Sequence, residues 1–241
     1  IEEALEGVDL VHIMVPLALG MATCKIARGK GLPITAGFHM QAENLTCYFK
    51  INKIKPINHM VYKIIYKKMY RYVDAIHYPT QFIRDVFESN IKRTTNGYVI
   101  SNGVHSYVKK REVPKPEEYK DEIVLLMIGR YAREKSQDTL LKAVNYSRYK
   151  DKLQIILAGQ GVKGKYYQKL AKKCAVPPVL KFFGREEVID VINYSDMYVH
   201  TAEAELEGIA CLEAICCGKL TIVSNSRLSA TKGFAVDDRC V

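Results

Sequence analysis

Residues 123–128, Ile-Val-Leu-Leu-Met-Ile, carry no polar side chain. A strand of that composition is apolar on both faces and must be covered on both, as a central strand of a parallel sheet is. Further runs rich in apolar residues recur at 8–14, 32–38, 74–79, 98–104, 153–157, 179–184, 197–199 and 221–224. Several are separated by apolar residues at helical spacing: 17–30 closed by Gly31, a segment opened by Thr80 as N-cap, 136–146 and 188–194. Strand–helix–strand alternation predicts an α/β chain whose parallel sheets carry covering helices. Ligands of such sheets bind beyond the carboxyl ends of the strands, so residues just after each strand are the candidates for chemistry.

The chain has 241 residues, enough for one large domain or two small ones. Residues 106–120 mix Pro114 and Pro116 with cations and acids, which predicts a linker between a domain at 1–105 and another at 121–241. No apolar run reaches the roughly 18–20 residues of a membrane-spanning helix. No signal peptide is visible, and Ile1 is expected to lie mid-protein. The cysteines, Cys24, Cys47, Cys174, Cys211, Cys216, Cys217 and Cys240, show no Cys-x-x-Cys pairing, so no metal site is expected and the thiols read as reduced and cytoplasmic. The formal net charge of +10 favours an anionic partner.

Part of that charge is concentrated at 48–72. Lys50, Lys53, Lys55, Lys63, Lys67, Lys68 and Arg71 alternate with Ile51, Ile54, Ile57, Met60, Val61, Ile64, Ile65 and Met69, without one acid. A basic amphipathic helix of this kind predicts contact with an anionic membrane surface; a helix packed on the sheet with a solvated lysine face is the other reading.

The stretch 197–219 reads as a strand, an acidic turn and a helix stopped by Gly218. Glu205 lies before the helix and Glu213 about one turn inside it, with seven residues between them. Gly208 permits close approach to the backbone, and the helix start at Ile209 presents free N–H groups suited to phosphate. Carboxylates accept hydrogen bonds from hydroxyls, so phosphate plus sugar points to a nucleotide-sugar. Gly129-Arg130 follows the apolar strand and Lys135 stands before the next helix: a guanidinium fork and a point charge suited to a pyrophosphate. The Gly159-Gln160-Gly161 turn is out of register for a dinucleotide fingerprint. His39 ends another strand and is followed by Gln41, Glu43 and Asn44.

Glu205-Leu-Glu-Gly208 with Leu212-Glu213-Ala214 resembles the two-glutamate signature of the retaining glycosyltransferase family 4, and Gly129-Arg130 with Lys135 resembles that family's cation pair. Ser101-Asn102-Gly103-Val104 is similar to its Pro-Asn-Gly-Val turn. The resemblance implies a GT-B fold, two Rossmann-like parallel-sheet domains facing a cleft, here truncated at both ends. It implies a nucleotide-diphosphate sugar as donor substrate, no cofactor and no metal. Arg130 and Lys135 are then expected on the pyrophosphate, Glu213 on the ribose, His39 near the sugar, and Gly129, Gly159, Gly208 and Ile209 around the donor. The family's usual Phe is Glu207 here, so either Glu205 or Glu207 faces the sugar; the spacing to Glu213 favours Glu205. Residues 41–44 resemble a variant in members that glycosylate lipids or sterols.

The expected activity is therefore transfer of a hexose to a lipid, sterol or glycan at the cytoplasmic membrane surface, by a protein peripheral on its inner face. No nucleic-acid partner is expected. Two alternatives remain: a sugar-nucleotide epimerase of the same architecture, and a basic protein that binds membrane or nucleic acid without turnover. The second leaves the glutamates and Gly129-Arg130 without a purpose.

Overall fold

A computed structural model describes residues 1–49, 51 and 54–235. Lys50 and Lys53 of the basic stretch and Cys240 lie outside the described residues. The chain divides into two units, 1–102 and 103–241.

The first unit runs β1 (Val11–Ile13), α1 (Ala18–Gly29), β2 (Ile34–Gly37), α2 (Ala42–Thr46), α3 (Lys55–Lys68), β3 (Ala75–Tyr78), α4 (Gln81–Ile91) and β4 (Gly97–Val99). Its described strands pair in parallel in the order β1-β2-β3-β4, as the alternation predicts. Phe38, directly after β2, is fully buried and meets the rings of Tyr62, Tyr70, Tyr78 and Phe87 at centroid separations of 6.4, 5.2, 5.5 and 4.4 Å. Asp74 binds β2 to the start of β3, its carboxylate accepting from the Ile34 N–H at 2.8 Å and from Arg28 at 3.1 Å. The backbone hydrogen bond chiefly holds that carboxyl below its ordinary range.

Helix α3 forms where the basic stretch predicts one, but its buried face is not the one that the aliphatic residues suggest. Asn58, Tyr62 and Ile65 are buried, whereas Met60 and Ile64 are exposed. The cause is polar. The Tyr62 hydroxyl donates to Glu43 at 2.6 Å and accepts from the Ala42 N–H at 3.2 Å, while Thr46 donates to Asn58 at 2.7 Å. These bonds turn the helix towards α2.

The second unit runs β5 (Ile123–Ile128), α5 (Gln137–Ala143), β6 (Leu153–Ala158), α6 (Gly164–Ala171), β7 (Val179–Lys181), α7 (Arg185–Tyr194), β8 (Met197–His200), β9 (Ala204–Glu205), α8 (Ile209–Cys216), β10 (Leu220–Val223) and β11 (Leu228–Ser229). Five of these strands form a parallel sheet in the order β10-β8-β5-β6-β7, and β9 pairs with β11. The wholly apolar β5 is its centre: Val124, Leu126 and Met127 are buried among the side chains of β6, α5, α7 and α8.

The segment 106–120, expected as a linker, packs onto the second unit. Val108 is buried with Val124, Ile189 and Cys217. The Arg111 N–H donates to Asn193 at 2.9 Å and its guanidinium pairs with Asp190 at 2.6 Å. Lys115 pairs with Asp196 at 2.6 Å, and the same carboxylate accepts from the Val124 N–H at 2.7 Å. Prolines and mixed charge here describe an irregular strap with fixed partners, and the unit boundary falls between Asn102 and Gly103.

Candidate active site

The candidate residues of the second unit collect at the carboxyl ends of β5, β6 and β8. Gly129 and Gly159 extend β5 and β6 and lie so close that a Cβ on Gly159 would come 2.1 Å from the Gly129 carbonyl oxygen. Glycine is therefore required there for the two strand ends to converge. Gly129, Arg130 and Gly159 line a cavity of ≈ 490 Å³ with Phe182, Phe183 and Val188. Its wall joins apolar rings to a cation and to backbone at strand ends, which suits a flat heterocycle carrying phosphate.

The loop from Gly129 to Ser136 is fixed by residues that sequence reasoning did not single out. Buried Gln137 donates to the Arg130 carbonyl at 2.8 Å and accepts from the Tyr167 hydroxyl at 2.8 Å. Glu134 has a side chain only 3% exposed and pairs at 3.2 Å with Arg130, whose own side chain is 71% exposed. Thr201 donates to the Ser136 carbonyl at 2.8 Å, tying the loop to the end of β8. The free guanidinium edge of Arg130 is thus presented to solvent from a fixed base.

Lys135 and Glu205, seventy residues apart in sequence, form an ion pair through Nζ and Oε2. His200 reaches the same oxygen, its Nε2–H donating to Glu205 Oε2 at 3.1 Å, and its Nδ1 lies 3.2 Å from the Tyr198 hydroxyl. Burial by itself would raise the Glu205 carboxyl, but the His200 hydrogen bond and the Lys135 and His200 charges outweigh it and hold the carboxyl at about 2. Glu205 is therefore a carboxylate at any physiological pH. Glu207, the other candidate, is buried at 4% exposure.

Gly208 precedes α8 with φ +84°, and a Cβ there would meet Thr231 Cγ2 at 2.4 Å, so both conformation and space demand glycine. Ile209, the first residue of α8, is exposed. Glu213 is half-buried on that helix. Burial raises its carboxyl, while the Arg185 and His105 charges oppose the rise. His39 stands in the first unit after β2. Its ring folds back over Gly37, where a Cβ would lie 2.4 Å from His39 Nε2, and it meets the His77 ring at 5.4 Å. Among the described residues no group of His, Cys, Asp and Glu side chains clusters as metal ligands do.

Residues 108–231 match the family described as Glycosyl transferases group 1, and residues 1–106 match Glycosyltransferase Family 4. The chain belongs to the group 1 glycosyltransferases. The phosphatidylinositol N-acetylglucosaminyltransferase GPI3 subunit of Saccharomyces cerevisiae is 29% identical over 135 residues, 52% of this chain and 30% of that protein. The chain superposes on Anabaena HepE, solved with UDP and glucose, with a TM-score of 0.76 at 15% identity, covering 98% of this chain and 64% of the other. The catalytic domain of the Helicobacter pylori cholesterol-α-glucosyltransferase is 40% identical over 49% of this chain and 74% of its own, with a TM-score of 0.44. The HepE likeness fixes the fold: this group 1 chain covers part of a GT-B fold. It spans less than a third of the yeast protein's length.

Proposed function

We propose that the chain is the catalytic part of a retaining glycosyltransferase that moves a hexose from a nucleotide-diphosphate sugar to a lipid, sterol or glycan acceptor at the cytoplasmic face of a membrane. The observation that carries this reading is the Lys135–Glu205 pair, set at the strand ends of a parallel sheet beside the Arg130 cavity. One cation and one ionised carboxylate there suit the two halves of a nucleotide-sugar, its phosphates and its hydroxyls.

Arg130 and Lys135 neutralise the pyrophosphate and stabilise the charge that grows on the leaving group as the glycosidic bond breaks. Gly208 and Ile209 offer backbone N–H groups to the same phosphates. Glu205 takes sugar hydroxyls and Glu213 the ribose. Glu207 belongs to the walls of the donor site, and Gly129 and Gly159 to its base. His39 is assigned to the sugar on the family pattern. The protein's own cations meet the donor's charge, so neither cofactor nor metal enters the scheme.

The lipid class of acceptor is supported by the yeast relative, whose name carries phosphatidylinositol, and by α3. Met60, Lys63, Ile64, Lys67 and Lys68 occupy one exposed face of that helix, which suits an anionic bilayer surface. No described helix is long and apolar enough to cross a membrane.

Calorimetry of the full-length protein with UDP-, GDP- and ADP-sugars tests the reading. One donor should bind, and Arg130→Ala and Glu213→Ala should each weaken it at least about tenfold, or 1.4 kcal/mol. A folded protein that binds none of them refutes the donor site.

A further inference from the structure

Both protein contacts to Glu205 fall on a single oxygen. Lys135 Nζ and His200 Nε2 meet Oε2, and Oε1 receives no hydrogen bond from the described residues. Here one oxygen is anchored and the other is left for an incoming hydroxyl.

The two anchors differ in what they can do when a donor arrives. Lys135 stands on the 3₁₀ turn Arg133–Lys135, with its flexible stem lying across Gly129, 3.7–3.8 Å from where a Cβ would be. Its ammonium is the group that the pyrophosphate would draw away. His200 is the last residue of β8, 1% exposed, held by strand pairing to β10 and by the Ser224 N–H on its carbonyl at 2.9 Å. It has no freedom to follow a ligand.

We propose that His200 is the positioning residue for Glu205, the fixed donor that keeps this carboxylate aimed at the sugar once Lys135 has turned to the phosphates. The assignment rests on the donor reading above. The histidine acts through Glu205 and touches no substrate.

The surroundings of the ring are built for this. With Nε2–H given to Glu205, Nδ1 accepts from the Tyr198 hydroxyl at 3.2 Å. If the ring gains a proton, Nδ1–H donates to that hydroxyl, which turns its own hydrogen to the Ile128 carbonyl at 3.4 Å. Both charge states are satisfied without moving a heavy atom, so Nε2 presents a hydrogen to Glu205 in either. Tyr198 itself is fully buried, its hydroxyl pushed up mainly by burial, and does not ionise. Lys135 and the buried Cys211 thiol of α8, which burial likewise keeps protonated, also bear on Glu205, and the Glu213 charge bears on Tyr198.

Side-chain geometry gives a test with built-in controls. His200→Gln places an amide N–H near the position of Nε2 and preserves the bond to Glu205. His200→Asn places its amide near Nδ1, keeping Tyr198 satisfied but abandoning Glu205. Nucleotide-sugar cleavage by the full-length enzyme should stay within about threefold of wild type in His200→Gln, and its kcat should fall at least about tenfold in His200→Asn. The KM for donor and the affinity for the free nucleoside diphosphate should stay within about threefold in both variants. Equal activity of His200→Asn and wild type overturns the proposal. So does a parallel loss of nucleotide affinity and kcat in both variants, which is the mark of a merely structural residue.

A second measurement separates this proposal from the donor reading. The ¹⁵N resonances of the His200 ring should report a protonated Nε2 bonded to a carboxylate, and should shift in Glu205→Gln. An unshifted ring refutes the positioning contact whatever the activity. A shifted ring in a protein that neither binds nor cleaves any nucleotide-sugar refutes the donor reading, and with it the purpose assigned to His200.

Discussion

Glu205 and Glu213 are drawn in opposite directions by their surroundings. The first has His200 and Lys135 on one oxygen and is held at about 2; the second is half-buried, and burial raises its carboxyl against the Arg185 and His105 charges. For Glu205 the folded pKa is below the unfolded one, so its contribution to stability is complete above the unfolded value and is lost as pH falls through the folded one. A fall from 4.5 to about 2 corresponds to a contribution on the order of 3 kcal/mol. Denaturant titrations should show wild type more stable than Glu205→Gln at pH 7, the gap closing between about pH 5 and pH 2. A constant gap across that range would mean that Glu205 is not ionised and paired as described. Glu213 contributes with the reverse sign: its share is present at low pH and is lost as pH rises. His200 was not legible in the sequence because a histidine ending an apolar strand carries no motif. The only signal was its polarity: a ring bearing two nitrogens, in a strand that must be buried, needs partners, and an acidic turn that includes Glu205 follows at once.

Helix α3 shows what periodicity reveals and what it omits. The helix itself was legible from spacing after Pro56, but its orientation was not, because the residues that settle it are polar. Tyr62 and Asn58 find partners on α2, and this rotates Met60 and Ile64 outwards. The same omission explains the strap at 106–120, whose prolines and charges carry no sign of Asn193, Asp190 and Asp196 waiting on the second unit. Tyr62→Phe tests the account of α3. It removes the 2.6 Å bond to Glu43, a residue only 6% exposed, and the acceptor of the Ala42 N–H, while leaving the ring contact with Phe38. The expected loss is about 1–3 kcal/mol in chemical denaturation, because a buried carboxylate is left short of a donor. A loss well under 1 kcal/mol, on the order of what an exposed hydrogen bond is worth, would place the α2–α3 contact elsewhere.

Across the molecule, alternation of apolar runs was enough to give parallel sheets in both units, and with them the position of Gly129, Gly159 and His200 at strand ends. The net charge of +10 is not explained by a nucleotide-sugar alone, since Arg130 and Lys135 are the only cations assigned to it. On α3, Lys63, Lys67 and Lys68 are exposed beside Met60 and Ile64 and have no ion-pair partner among the described residues. Each such cation contributes about 1 kcal/mol near an anionic bilayer. Replacing the three by Gln should then lower partition onto phosphatidylglycerol vesicles by roughly two orders of magnitude, and phosphatidylcholine vesicles should bind neither protein. Raising the salt should weaken the wild type towards the variant, because exposed charges are screened beyond about 8 Å at physiological ionic strength. Met60→Ser with Ile64→Ser separates the two parts of the surface. If the apolar side chains enter the interface, this pair weakens binding at every salt concentration; if the lysines act alone, it changes nothing. Donor affinity should be untouched in all of these variants, since Arg130, Lys135, Glu205 and Glu213 lie in the second unit and α3 in the first. Unchanged vesicle binding by the triple Gln variant would remove α3 as the docking face and leave the excess charge to another part of the surface.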